Sequence, residues 1–234
     1  MNVLCTICIR KNSKGIKNKN IKLINNIPLF VHTLIQAKNS NLFDNIVVST
    51  DSRKIMNISR KYGVEIFFQR PKFLSLDSSP KIPVIRHALL NSEKFFNKKF
   101  EIIIDLDVTS PLRNIFDIKK ALKLFYKEQS NNLISVCVSR KNPYFNMIEI
   151  VDKKIRLVKN TKNMIFRRQD APRVYDMNAS IYIWKRRILL KSNNVFTKKT
   201  SVYIMPQERS IDIDTEFDFN IVKQQLKKNE KLFK

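Results

Sequence analysis

From Val3 to Ile9 the chain is apolar at every position except Thr6, and the run stops at Arg10. A short apolar run bounded by polar residues fits a strand buried on both faces. Residues 28–38 then set Leu29, Leu34, Ile35 and Ala37 so as to predict a helix lying on a sheet. A second strand is predicted over 45–49, followed by Thr50, Asp51 and Ser52 as caps for a helix carrying Ile55, Ile58 and Tyr62. Gly63 ends that helix, and the apolar stretch 64–68 predicts a third strand. Next come a polar loop over 69–79, a helix over 82–96, a strand over 101–106, a helix over 115–128 and a strand over 133–138. Strand alternating with helix is the cadence of an α/β protein, an open, mostly parallel sheet with crossover helices on its faces.

At 139 the rhythm breaks. Strand-like runs at 147–151 and 154–158 read as a hairpin, with loops at 142–146 and 166–172 on either side. Residues 139–177 therefore predict a β-containing insertion outside the main sheet, serving as a lid or a subunit interface. Strand patterns return at 178–184, 201–205 and 210–213, and a last helix is predicted over 215–228. No repeat or linker divides the chain, so residues 1–234 read as a single domain.

With 234 residues, 43% hydrophobic and 28% charged, the chain can bury a substantial core and is not a disordered polymer. No apolar stretch approaches the roughly 20 residues of a membrane span, and the N-terminus lacks a signal-peptide pattern. A cytoplasmic protein without a membrane partner is expected. The net charge of +25 raises nucleic acid as a partner. Lysines, however, are spread along the whole chain, and no RNP-like or other nucleic-acid motif accompanies them. A diffuse positive field suits small anionic substrates, and nucleic-acid binding is kept as an alternative marked by salt-sensitive affinity. Cys5 and Cys8 point to opposite faces of a strand, and the third cysteine is the distant Cys137, so buried small hydrophobes are predicted rather than a zinc site or disulfide. His32 and His87 lack partners at metal spacing and read as packing or surface residues, while Trp184 and the phenylalanines read as core.

Candidate chemistry lies at two places. Beyond the first strand, Arg10, Lys11, Lys14, Lys17 and Lys19 crowd a loop that holds no acid. Open α/β sheets bind ligands outside the carboxyl ends of their strands. Guanidinium and ammonium groups beside free backbone N–H groups match a polyphosphate; a solvated basic loop is the plainer reading of the charge alone. With only Gly15 and Gly63 in the chain, neither a Walker loop nor a dinucleotide fingerprint is present. The other place is Asp212-Ile213-Asp214. On an extended segment both carboxylates share one face, about 7 Å apart. Such a pair can hold Mg²⁺ and its waters beside phosphates, or Asp214 and Thr215 can cap the last helix.

Five motifs in order carry a resemblance: Arg10-x-x-Ser13-Lys14 with Lys19-Asn20, then Val48 to Ser52, Thr109 to Arg113, Arg168-Gln169-Asp170, and Ser210 to Glu216. Over most of its length the chain resembles the acylneuraminate cytidylyltransferase family, and Leu106-Asp107, Asn142 to Asn146 and Tyr175 to Ser180 look most like its CMP-legionaminic acid synthetase branch. The resemblance implies a Rossmann-like sheet of the nucleotide-diphospho-sugar transferase type, a homodimer formed through the 139–177 insertion, and an Mg²⁺-dependent reaction. In that reaction the anomeric hydroxyl of an acidic nine-carbon 2-keto sugar attacks the α-phosphate of CTP, and pyrophosphate leaves. By motif position Arg10, Ser13, Lys14, Lys19 and Asn20 hold the nucleotide, with Arg10 and Lys14 on its phosphates. Arg10, Lys14, Lys19 and Asp214 carry the catalysis. Arg70 and Ser79 match the base-contacting loop more loosely. Asp107, Thr109, Ser110, Arg168, Gln169 and Tyr175 match the sugar side, Arg168 reaching the neighbouring subunit's sugar. Asp212 and Asp214 match the Mg²⁺ ligands, and the hydroxyl proton goes to Asp214 or to a hydroxide on the metal. A Kdo-type or other sugar nucleotidyltransferase is the alternative enzyme.

Two departures bear on these expectations. Lys11-Asn12 stands where the family often has two glycines, so any left-handed backbone there falls to Asn12. Asp107-Val108 stands where sialic acid enzymes commonly have Gln-Pro, and an acid facing the sugar suits one that presents extra N–H or hydroxyl donors.

Overall fold

The computed structural model describes residues 2–11, 15–161 and 165–228. Its centre is a six-stranded sheet built from β1 (Val3–Ile9), β4 (Asn45–Thr50), β5 (Ile102–Leu106), β6 (Asn132–Val138), β9 (Tyr175–Lys185) and β10 (Thr200–Ile204). The spatial order is β10-β6-β9-β5-β1-β4, with β9 antiparallel to both neighbours and every other pairing parallel. This is the open, mostly parallel sheet that the alternation of elements predicts. Among the described residues six α-helices accompany it: α1 (Leu29–Ser40), α2 (Arg53–Lys61), α3 (Lys81–Phe96), α4 (Ile115–Lys127), α5 (Arg186–Lys191) and α6 (Glu216–Lys228). None of them is long and apolar enough to cross a membrane.

Strand alternation divides the core between the two faces. Cys5 and Ile7 of β1, with Ile104 and Ile183, pack with Leu34 of α1 and Ile118 of α4. Leu4, Ile103 and Trp184 point the other way, against Ile85 of α3 and Leu189 of α5. A third cluster lies outside the sheet and matters for the site. Ile16, Ile24, Leu29, Leu112 and Ile213 pack against Phe219, Val222 and Leu226 of α6. It ties the loop after β1 to the acidic segment before α6.

Three expectations are corrected. Residues 64–68 are not a strand: β4 is the edge of the sheet, and the run packs through its rings instead, Phe67 stacking on Phe95 at 4.1 Å. Residues 210–213 are irregular rather than extended. Several phenylalanines are exposed rather than core, among them Phe73, Phe116 and Phe166. Two small elements escaped the pattern, α5 and the hairpin β2 (Leu23–Ile24) with β3 (Ile27–Pro28). The turn of that hairpin places both Asn25 and Asn26 at positive φ, the requirement of a type I′ turn. The predicted insertion hairpin is present as β7 (Ile148–Val151) and β8 (Lys154–Leu157), turning through Asp152 and Lys153 at positive φ.

Candidate active site

A cavity of about 370 Å³ opens beyond the carboxyl ends of β1 and β5. Arg10 enters it from the end of β1, Asp107 and Thr109 from the end of β5, and Asp214 from the segment before α6. Arg70 and Ser79 come from the loop between α2 and α3, and Lys81 from the first turn of α3. The two sequence-predicted places of chemistry therefore meet. Gly15 makes the meeting possible, because a methyl group there would overlap the Asp214 carbonyl oxygen.

One side of the cavity is cationic. Lys19 is buried, its Nζ donating to the Ile213 carbonyl and lying 3.6 Å from Asp214 Oδ1. Asn20 Nδ2 donates to the Arg10 carbonyl at 3.1 Å, and Arg10 itself pairs with Asp77. Arg70 is 5% exposed, and its Nε and Nη2 have no hydrogen-bond partner among the described residues. Its nearest acid, Asp51, is 3.9 Å away. Burial lowers the guanidinium's pKa, and Asp51 only partly opposes that. A buried guanidinium with donors to spare is a ready anion receptor.

The opposite side is acidic. Asp105, fully buried at the end of β5, accepts from Thr6 Oγ1 at 2.7 Å. Lys81 Nζ lies 3.2 Å from Asp105 Oδ2 and 2.6 Å from Asp107 Oδ2. Burial pushes the Lys81 pKa down, but Asp107 and Asp105 outweigh it and hold it well above the ordinary lysine value. Burial likewise raises Asp107, yet Lys81 and two hydrogen bonds from Thr109 drive it well below the ordinary carboxylate range. Asp212 behaves oppositely. Burial pushes it up to about 6, Asp107 and Asp214 adding to the effect against a Thr109 hydrogen bond and Lys19.

Arg10, Lys19, Asn20, Arg70, Ser79, Asp107, Thr109 and Asp214 thus line one cavity as the sequence predicts. Ser13, Lys14 and Asn12 lie outside the described residues. Asp212-Ile213-Asp214 is not a strand, yet Ile213 is buried and donates its N–H to the Thr109 carbonyl at 2.9 Å. The capping alternative is half right. Thr215 Oγ1 accepts from the Asp218 N–H, and Asp218 in turn accepts from the backbone of Asp214 and Thr215. The Asp214 carboxylate is left exposed at the cavity.

Other residues do not join. Ser110 is fully buried, its hydroxyl donating to the Asn178 carbonyl, so it supports β9 from behind the site. Arg168, Gln169 and Tyr175 line a separate depression of about 390 Å³ beside the insertion. Cys5 and Cys137 are buried and free, whereas half-buried Cys8 lines the main cavity. Sequence reasoning missed Lys81, Asp105 and Asp77. A lysine in the first turn of a helix opposes the helix dipole, and that conflict is the signal that points to a hidden acid partner.

Among the described residues no three His, Cys, Asp or Glu side chains form a metal-binding group. Two carboxylates fit Mg²⁺ nonetheless, because that ion is commonly held by one or two of them together with phosphates and waters. Asp212 Oδ1 is buried without a hydrogen-bond partner among the described residues, an oxygen with capacity to spare for a cation.

An open α/β sheet with an anion-receptive cavity at its switch of strand order is the architecture of a nucleotide-binding protein. Solved structures agree on the fold. The chain superposes on a CMP:2-keto-3-deoxy-manno-octonic acid synthetase complexed with CTP with a TM-score of 0.68, at 13% identity over 97% of this chain and 99% of that one. A 4-diphosphocytidyl-2C-methyl-D-erythritol synthase from Anaerococcus prevotii gives 0.63 at 14% identity, with the same coverage of each chain. Residues 4–233 match the profile described as Cytidylyltransferase, and the chain belongs to that family. It is 50% identical over 220 residues to post-translational flagellin modification protein B of Campylobacter coli, covering 94% of this chain and 93% of that protein. It is 49% identical, with the same coverage, to the CMP-N,N'-diacetyllegionaminic acid synthase of Campylobacter jejuni. An N-acylneuraminate cytidylyltransferase of Streptococcus agalactiae is 32% identical over 94% of this chain and 52% of its own length.

Proposed function

We propose that this cytidylyltransferase moves CMP from CTP to the anomeric hydroxyl of a nine-carbon 2-keto sugar acid, with legionaminic acid as the acceptor. One observation carries the reading: a single cavity joins a cationic side, Arg10, Lys19 and Arg70, to an acidic side, Asp107 and Asp214, with Asp212 two residues before Asp214. The relative named for CMP-N,N'-diacetyllegionaminic acid synthesis supports the choice of acceptor. The cationic side takes the triphosphate, whose charge calls for several donors at once. The sugar hydroxyl oxygen bonds to the α-phosphorus, the bond from that phosphorus to the β-phosphate oxygen breaks, and the hydroxyl proton passes to Asp214 at the cavity wall. Asp212 and Asp214 are the residues that would hold Mg²⁺, which supplies charge stabilisation to the transferring phosphoryl group.

The insertion supports a homodimer. Pairing Ile148 with Leu157 and Ile150 with Ile155 puts four apolar side chains on one face, and the Glu149–Arg156 ion pair occupies the other. Ile148, Ile150 and Ile155 are exposed, so a second copy covering them is the natural occupant.

The test is pyrophosphate release with CTP, with and without Mg²⁺, comparing legionaminic, N-acetylneuraminic and pseudaminic acids and Kdo. Turnover that prefers legionaminic acid, needs Mg²⁺ and collapses in Asp212→Ala is the expected result. CTP binding without turnover on any of the four moves the acceptor elsewhere, and absence of CTP binding overturns the reading.

A further inference from the structure

The acidic side of the cavity holds a lysine for which phosphoryl transfer has no evident use. Lys81 Nζ lies 2.6 Å from Asp107 Oδ2, 3.2 Å from Asp105 Oδ2 and 4.5 Å above the Tyr182 ring. Among the described residues it is the one cation ion-paired with either carboxylate. Asp107 Oδ1 accepts from the Thr109 N–H at 3.0 Å and from Thr109 Oγ1 at 2.8 Å. Both carboxylate oxygens are therefore fixed, while 22% of the side chain stays accessible from the cavity.

Asp107 is a held acceptor rather than a freely rotating surface acid. Its geometry is set by Lys81 and Thr109, and an ionised carboxylate accepts hydrogen bonds without donating any. With Asp105 behind it, Asp107 makes this side unfavourable for a triphosphate, which Arg10, Lys19 and Arg70 attract to the other. What suits the acidic side is an uncharged, donor-rich group, the O–H and N–H positions of a sugar.

We infer that Lys81 is a positioning residue for the acceptor sugar. Its ammonium holds Asp107 as a fixed acceptor for one sugar O–H or N–H. It also cancels a negative charge that would otherwise repel the sugar's own carboxylate. The inference rests on the cytidyl-transfer reading and deepens it.

The experiment is steady-state pyrophosphate release at saturating CTP with legionaminic acid varied, together with calorimetric Kd values for CTP. The proteins are wild type, Lys81→Met, Asp107→Asn and the double variant. Removing Lys81 leaves Asp107 charged without its cation, so KM for the sugar is expected to rise about 10- to 100-fold while the Kd for CTP stays near the wild-type value. The double variant recovers part of the loss, because a neutral amide at position 107 needs no counter-charge. Unchanged sugar KM in Lys81→Met overturns the inference. So does parallel loss of CTP affinity and sugar KM without recovery in the double variant, the mark of a purely structural lysine. Should Lys81→Met not fold, Lys81→Arg and Asp107→Asn give the same split: raised sugar KM with intact CTP binding supports the role, and parallel loss overturns it. A wild type that binds CTP yet uses no nine-carbon sugar acid overturns the acceptor assignment and this inference together. An active wild type whose sugar KM ignores Lys81 overturns this inference alone.

Discussion

Asp212 shows how a single residue can oppose folding and serve the site. Its carboxyl is pushed up from 3.8 to about 6, first by burial and then by Asp107 and Asp214. The folded protein thus binds the proton more tightly than the unfolded chain, and the sign follows. The group adds nothing unfavourable below about pH 4, costs stability increasingly between about pH 4 and 6, and holds that cost above 6, about 1–2 kcal/mol once partial exposure is allowed for. In EDTA, Asp212→Asn is expected to raise the melting temperature at pH 7.5 and lose most of that advantage by about pH 4; assayed with Mg²⁺, it abolishes turnover. Thermal denaturation at the two pH values checks it, and a variant less stable than wild type at pH 7.5 contradicts it. Added Mg²⁺ should stabilise the wild type and leave Asp212→Asn nearly unmoved, since a ligand stabilises only the state that binds it. At this scale the sequence was legible wherever charge clustered, as at Arg10 and Asp212. For Lys81 it offered only the conflict with the helix dipole and not the partners, Asp105 and Asp107, which lie 24 and 26 positions away and meet it only once β5 and α3 are packed.

At the scale of elements, long periodic segments were legible and tertiary choices were not. The four longest helices and all six main strands follow from periodicity, because each must turn an apolar stripe or both of its faces inward. The run 64–68 has the same apolar content, but among the described residues no strand lies outside edge strand β4, and its rings join Phe95 and Phe96 of α3 instead. Its path delivers Arg70, whose N–H donates to the Thr50 carbonyl at 2.9 Å. The tight turns were hidden because asparagine, not glycine, supplies half of the positive-φ positions among the described residues, in a chain with two glycines. The acidic segment is held by an equally non-local device. Asp117 sits in the capping box of α4 and accepts two hydrogen bonds from Arg209 at 2.9 Å, plus one from Tyr203 at 3.0 Å. Arg209 closes the turn that leads into Asp212. Arg209→Ala strands a buried carboxylate, so a loss of about 2–4 kcal/mol is expected in urea denaturation, with turnover falling further than CTP affinity. Stability within about 0.5 kcal/mol of wild type would show the pair to be an ordinary surface contact.

For the whole molecule, charge and the insertion pull in opposite directions. Each copy carries +25, so two copies repel one another at long range. The apolar face formed by Ile148, Ile150, Ile155 and Leu157 belongs to a two-stranded hairpin, an element seldom stable in isolation, which gains a core only when something covers it. Salt separates the two uses of this surface charge. If a second copy covers the hairpin, raising ionic strength from about 50 to 300 mM screens the repulsion and tightens the dimer. Nucleic-acid binding has the opposite slope, because bound counterions are released and added salt weakens the complex. Analytical ultracentrifugation across that range is therefore expected to show dimerisation strengthening with salt. Ile150→Lys with Ile155→Lys should leave a folded monomer at every salt concentration, because two further cations enter the very face that must be desolvated. If Arg168 reaches across to the partner's cavity, the monomer keeps CTP affinity but loses sugar turnover, whereas a monomer with full turnover assigns the depression around Arg168 a role outside catalysis.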